Sequence, residues 1–508
     1  MHKILPNQLI PVITQKPGET NKTELESREA LIAVISDKNP LSAWRPIPQY
    51  RRLRDMLKKR KINQLYSQTR LNTQSNTAVY LASSPKKDSS CFEKLSFAGK
   101  LVKHAMADKP RNLTLYVADS SNTDSEILAK SLISALIAYQ FKMPEYKSSK
   151  SQSPRLKKIC IAGLKNRIDI SRTIAVAEAN NLARWLTALP PNKLDAENYV
   201  EAIKYLSKKN NWQFEFYNQE KLKQLNAGAF LAVSQGNPIP DAGIVRLSYR
   251  PKKNMPPEVA LVGKGIIFDT GGTNLKPFRS MLDMHHDMAG SAVALATIQA
   301  ITDLKAPIAV DCWLAITENL LSNQSYKSRD IVTASNGTKI EVIHTDAEGR
   351  MILADTLSLA GKEKPEVILD FATLTGSCVT AITDRYSGAF SNKNTLNELV
   401  IHAGVNSGAR VWPFPLDKDF DEDLKSDIAD VLQCSTGGSG DHIQAARFLK
   451  RFVPKSTPWI HLDLSSASRS GGLAHIPTSV TGFGVRFAIE LLINHLDDLK
   501  SARGDSSG

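Results

Sequence analysis

The chain has 508 residues, 42% hydrophobic and 23% charged, with 65 Lys+Arg against 51 Asp+Glu for a formal charge of +14. At roughly 150 residues per domain this is too long for one module, and the balance excludes global disorder, a collagen-like repeat and a coiled-coil rod. No window holds the roughly 18 uninterrupted apolar residues of a membrane span, so no membrane partner is expected.

In chain order, Met1 to Thr20 is polar and proline-bearing rather than basic then apolar, and no export signal is read there. Ala30 to Ile35, Thr77 to Ala82 and Leu113 to Val117 have the apolar content of short strands, and Asp124 to Tyr139 carries apolar residues at helical spacing. Polar stretches lie between them: Arg51 to Lys61 with seven basic residues, and Tyr146 to Lys158, expected to be a surface loop. The strand-like Lys158 to Ala162 leads into a helix over Ile168 to Ala188, stopped by Pro190 and Pro191, which lack the amide donor a helix needs. A boundary in this helix gives a smaller, basic N-terminal α/β domain (1–170) and a larger C-terminal domain (171–500). In the latter, strands at 259–268, 308–315, 367–371 and 459–464 alternate with helices at 290–301 and 350–360. That alternation predicts α/β architecture, with a mostly parallel central sheet covered by helices. Residues 501–508 read as a disordered tail. Residues 1–180 hold 31 Lys+Arg against 15 Asp+Glu and residues 181–508 hold 34 against 36, so the two parts have different surfaces. Five cysteines, Cys91, Cys160, Cys312, Cys378 and Cys434, have no CxxC spacing and an odd count. This argues against a disulfide framework and for a reducing cytoplasm.

The chemistry-bearing segment runs from Leu261 to Gly376. Lys264 and Asp269 lie on an apolar strand that ends in a glycine turn, and ligands bind at that end of parallel strands. Lys276 follows in a loop, Asp287 precedes a helix, and Asp346 and Glu348 precede the next. Four carboxylates in one site would repel one another unless cations sat between them. Two divalent ions would balance them, and an oxygen-rich set suits Mn²⁺ or Mg²⁺ as readily as Zn²⁺.

The stretches VGKGIIFDTGG (262–272), LKP (275–277), DMAG (287–290), TDAEGR (345–350) and ATLTG (372–376) closely resemble the leucyl aminopeptidase family of cytosolic two-metal exopeptidases. The likeness runs from Leu189 to about Phe483 and is far weaker in the first 170 residues. It implies removal of N-terminal, leucine-like residues from peptides by a metal-activated water. It makes Asp269 and Glu348 bridging ligands, with Lys264 and Asp287 at one metal and Asp346 at the other. Lys276 would polarise the substrate carbonyl and Arg350 would hold a bicarbonate that shuttles the proton. Met284, Thr373 and Gly376 would line the pocket for the first side chain, and the Leu374 carbonyl would receive the substrate amine. It also implies a homohexamer.

Some positions depart from the family pattern. His344 stands where Asn is usual and is expected to support a ligand rather than act as one. The 322–330 stretch has lost two glycines, Ser465 and Ser466 replace Ala-Gly, and Asp441 and His442 replace small residues. His285 and His286 flank Asp287 and are expected to be solvated or packed rather than ligating. Two alternatives stand beside the enzyme reading. One is a non-catalytic structural relative, which a missing ligand would have favoured. The other is DNA binding through the basic N-terminal part, where only Tyr50 and Tyr66 flank the Arg51 to Lys61 stretch; weak, salt-sensitive and sequence-blind binding is expected.

Overall fold

The computed structural model describes residues 3–18, 25, 28–36, 38–61, 64–118, 122–149, 156–437 and 439–504. Two compact units emerge. One comprises Asn7–Glu178 with Gly471–Ser479, the other Met1–Pro6, Ala179–Ser470 and Val480–Gly508. The sequence reading divides the chain linearly between 170 and 171; the units divide it within the helix Ser171–Thr187 and exchange two short segments.

The smaller unit is built on six strands: β1 (Val12–Lys16), β2 (Ala30–Ile35), β3 (Ser67–Arg70), β4 (Ala78–Ala82), β5 (Asn112–Ala118) and β6 (Lys158–Ala162), in the order β1-β6-β5-β2-β4-β3. Only β3 pairs antiparallel. All six residues of β2 are buried because side chains alternate between faces and both faces are covered: Ile32 and Val34 enter one apolar cluster, Leu31, Ala33 and Ile35 the other. The basic stretch from Arg51 is not a plain polar connection. Tyr50–Lys58 is helical, because Leu53 and Leu57, one turn apart, are buried against the sheet while Arg51, Arg52 and Lys58 face outward. The helix Cys91–Ala107 starts from a reciprocal cap between Ser90 and Glu93, which satisfies amide donors left open in a first turn. A Cβ at its Gly99 would lie 2.7 Å from the Cα of His475, so this helix takes the 471–479 segment in direct backbone contact. Of the expected loop over Tyr146 to Lys158, residues 150–155 lie outside the described residues.

The larger unit carries β7 (Gln213–Asn218), β8 (Gly243–Tyr249), β9 (Val259–Asp269), β10 (Val310–Asn319), β11 (Ile331–Thr333), β12 (Lys339–Glu341), β13 (Val367–Ala372), β14 (Ser387–Ser391), β15 (Val411–Pro413), β16 (Val431–Leu432) and β17 (Trp459–Asp463). Eight of these form one sheet, β15-β14-β17-β13-β9-β10-β8-β7. The central four, β17, β13, β9 and β10, are mutually parallel, while β8 and β14 join them antiparallel. The expected α/β class and mostly parallel sheet are therefore present, with antiparallel additions toward the edges. The helix Ala289–Asp303 crosses from β9 to β10, and Glu348–Lys362 leads into β13. Both are mostly buried; the first is largely apolar, while the second also buries Glu348, Arg350 and Asp355. The tail differs from expectation at its start: Ser501 ends the helix Leu496–Ser501 and Ala502 is buried, because Leu499 and Ala502 are apolar anchors. Residues 505–508 lie outside the described residues. Among the described residues no helix is long and apolar enough to cross a membrane.

Candidate functional site

Strand β9 brings Lys264 to mid-strand and Asp269 to its last position, and three further segments converge there. Asp287 sits in the 3₁₀ turn Met284–Met288 leading into the helix Ala289–Asp303. Glu348 opens the helix Glu348–Lys362, with Asp346 two residues before it. Close approach of the first of these helices depends on Gly290, where a Cβ would fall 2.1 Å from the Phe371 carbonyl oxygen on β13. Lys264, Asp269, Lys276, Met284, Asp287, Asp346, Glu348, Arg350, Thr373, Leu374 and Gly376 all line one cavity of about 1060 Å³.

Within it, Lys264 Nζ lies 2.8 Å from Asp287 and 2.9 Å from Glu348 Oε1, and donates to the Thr373 carbonyl at 3.0 Å. Lys276 Nζ lies 2.8 Å from Asp269 Oδ2 and 2.5 Å from Asp346 Oδ1. One carboxylate oxygen each from Asp269, Asp346 and Glu348 falls within 4.8 Å of the others. Burial, joined by the neighbouring carboxylates, pushes Asp269 and Glu348 up to about 7; burial also raises Asp287. Burial would lower the two lysines, but the surrounding carboxylates more than offset it and hold both above their usual range.

With all four carboxylates ionised, two ammonium groups leave the cluster net negative. Glu348 Oε2 is buried without a hydrogen-bond partner, a costly state for an ionised oxygen. A divalent cation fits both observations and the all-oxygen character of the acidic donors.

Several supports were not read from the sequence. Asn319, paired in register with Asp269, donates from Nδ2 to Asp269 Oδ1 at 2.8 Å and to the Thr345 carbonyl at 3.0 Å. Tyr326 donates its hydroxyl to the same carbonyl at 2.7 Å. Gln433, fully buried, accepts from the amides of Ile343 and His344 and donates to the Ala347 carbonyl. Together they fix the loop bearing Asp346. Asp463 accepts from Leu374 N at 3.1 Å and from Thr375 Oγ1 at 2.6 Å. A polar residue ending β10 or β17 beside a cluster-bearing strand is the one local sign of such roles.

Thr373 does more than line the cavity, since its hydroxyl donates to Asp287 Oδ1 at 2.6 Å. His344 accepts from the Asp346 amide through Nδ1 at 3.2 Å. His285 and His286 pack ring to ring, centroids 4.1 Å apart, and burial lowers His286 to about 4, keeping it neutral. Arg350 differs from expectation. Its Nη2 donates to both carboxylate oxygens of Asp441, at 2.7 and 2.8 Å, and its Nη1 to the Gln433 carbonyl. A side chain therefore occupies Nη2, where the resemblance implies bicarbonate, while Arg350 Nε is buried without a hydrogen-bond partner.

The cytosol aminopeptidase family, catalytic domain, matches residues 181–489. A probable cytosol aminopeptidase of Chlorobaculum tepidum is 36% identical over 74% of this chain and 77% of its own length. One from Chlorobium limicola is 39% identical over 63% of each chain. Among solved structures, the bottromycin maturation enzyme BotP in complex with Mn superposes with a TM-score of 0.80 at 27% identity, covering 93% of this chain and all of that one. A tomato leucine aminopeptidase variant superposes with a TM-score of 0.83 at 25% identity, covering 97% of this chain and 99% of that one.

Proposed function

Because this chain belongs to the cytosol aminopeptidase family, we propose that it hydrolyses the N-terminal residue of peptides, leucine-like residues preferred, at a two-metal centre held by Lys264, Asp269, Asp287, Asp346 and Glu348. The observation that carries this reading is the cluster of oxygens from buried Asp269 and Glu348 and half-buried Asp346, within 4.8 Å of one another, held between two lysines. Bound Mn²⁺ or Zn²⁺ would supply charge compensation, a water acidic enough to attack near neutral pH, and an anchor for a free α-amine. The solved BotP structure carrying Mn supports the choice of ion class.

The protein's own groups do the rest. Asp269 and Glu348, fixed at strand end and helix start, keep their oxygens converged before any ion arrives. Lys276, at the cavity wall, would donate to the peptide carbonyl oxygen as charge develops there, the work of a pre-aimed electrostatic donor. Thr373 orients Asp287. Met284, Thr373 and side-chain-free Gly376, which line the cavity, would receive an aliphatic first residue, and the Leu374 carbonyl its amine.

The test is a rate panel on free and N-acetylated aminoacyl substrates with chelator and with added metal. Activity is expected to vanish on chelation, return with Mn²⁺ or Zn²⁺, favour leucine-like amides and be absent on blocked substrates. Rapid cleavage of a blocked peptide would overturn the aminopeptidase reading.

A further inference from the structure

We propose that Asp441 takes the place of a bound anion on Arg350, so that this chain carries as its own side chain the carboxylate that accepts the proton of the attacking water. Arg350 is buried, with 2% of its side chain exposed, whereas Asp441 retains 34%. The pair therefore reads as a fixed guanidinium inside the wall holding a carboxylate that still meets the cavity's water. A guanidinium has five N–H donors in one plane, and a planar anion needs two of them in parallel. Here Nη2 is committed to both oxygens of Asp441, Nη1 donates to the Gln433 carbonyl, and Nε is buried without a partner; each parallel pair includes Nη2, so Asp441 holds the place of the anion.

The position of Asp441 is built in. It is the first residue of the helix Asp441–Lys450, directly after Gly440 at φ 67. The next residue pins that start to the opposite loop: the His442 amide donates to Ser377 Oγ at 2.8 Å, and His442 Nδ1 lies 3.0 Å from the same oxygen. The His442 ring stands edge-on to Phe414, centroids 4.6 Å apart. Asp441 and Arg350 line the same cavity as Asp269, Asp346 and Glu348.

The catalytic part of this inference rests on the aminopeptidase reading. An O–H bond of the water breaks and its proton passes to a carboxylate oxygen of Asp441 as the water oxygen bonds to the peptide carbonyl carbon. The C–N bond then breaks and the same proton passes to the departing amine. Water and peptide become a free amino acid and a shortened peptide, and Asp441 is regenerated.

The test has two arms on the metal-loaded full-length chain. In the first, ¹³C-labelled bicarbonate is titrated and its NMR line width compared among the parent protein, D441A and the double variant D441A/R350A. The parent is expected to match the double variant, and D441A alone to broaden the line. Arg350-dependent binding by the parent would overturn the proposal. In the second, turnover is measured in bicarbonate-depleted and bicarbonate-supplemented buffer. The parent is expected to be indifferent, and D441A to lose about 10²-fold in kcat and regain it with bicarbonate. D441N is expected to lose kcat at near-constant KM without rescue, since its amide cannot take the proton yet still occupies the site. Unchanged kcat in either variant would overturn the proposal, and D441N alone decides if D441A does not fold. If no protein cleaves any peptide, the aminopeptidase reading fails while the NMR arm still decides what Arg350 holds.

Discussion

Lys276 shows how one residue can be separated into binding and catalysis. Its Nζ bridges Asp269 and Asp346 but is not itself among the acidic donors, so Lys276→Ala is expected to retain both metals while kcat falls about 10²- to 10³-fold. Two metal ions per chain by elemental analysis, together with near-normal turnover, would contradict that role. Asp287→Ala is expected to lower metal occupancy instead. Asp269 and Glu348 give a dependence on pH. In the metal-free chain both are raised to about 7 by burial and by like charge, whereas an unfolded carboxyl titrates near ~4. Between those values the folded state binds more protons than the unfolded one, so this contribution to stability is present below about pH 4 and is lost as pH rises through about 7. Cations bound to the ionised carboxylates remove the loss. Thermal melts are therefore expected to show the gap between metal-loaded and chelated protein widening from pH 5 to pH 8, and a narrowing gap would contradict the cluster's role.

At the scale of elements, the helix Ala289–Asp303 reaches the sheet only because residue 290 has no side chain. Gly290→Ala would set a Cβ 2.1 Å from the Phe371 oxygen, and the forced shift is expected to cost about 1–3 kcal/mol, read by denaturant unfolding. Metal affinity should fall with it, since Asp287 lies three residues before the clash and Thr373 two residues after Phe371. The same elements show what sequence reveals. Lys264, Asp269, Asp346 and Glu348 are legible because each lies in an unbroken stretch whose spacing carries its chemistry, and β2 and β6 are legible because their runs are apolar, wholly so in β2 and after Lys158 in β6. The helix Tyr50–Lys58 is hidden by its charges, since only Leu53 and Leu57 signal its buried face. Gln433 and Asp441 are not legible as supports because their partners lie 86 and 91 positions away, and only the fold brings those loops together.

For the whole molecule, the uneven charge and the exposed apolar side chains bear on assembly. Phe278, Leu282 and Ile428 are 77%, 60% and 67% exposed in the single chain. These three lie in the near-neutral part, beyond residue 180, while Leu9 and Val12, 81% and 65% exposed, lie in the basic part. The excess of 16 positive charges in residues 1–180 would repel itself if clustered. Light scattering is expected to find six chains per particle, and a fully active monomer at low micromolar concentration would defeat that expectation. The exchange of segments between the two units has a further consequence, for the order in which the protein can be made. The helix Cys91–Ala107 emerges from the ribosome early, yet the backbone it is shaped to receive at Gly99 belongs to His475. At roughly 5–20 residues per second, the helix waits about 20–75 s for the roughly 370 intervening residues. The N-terminal unit therefore spends that time with the backbone at Gly99 uncovered, and an arrested nascent chain should leave the helix more open to proteases until translation passes 479.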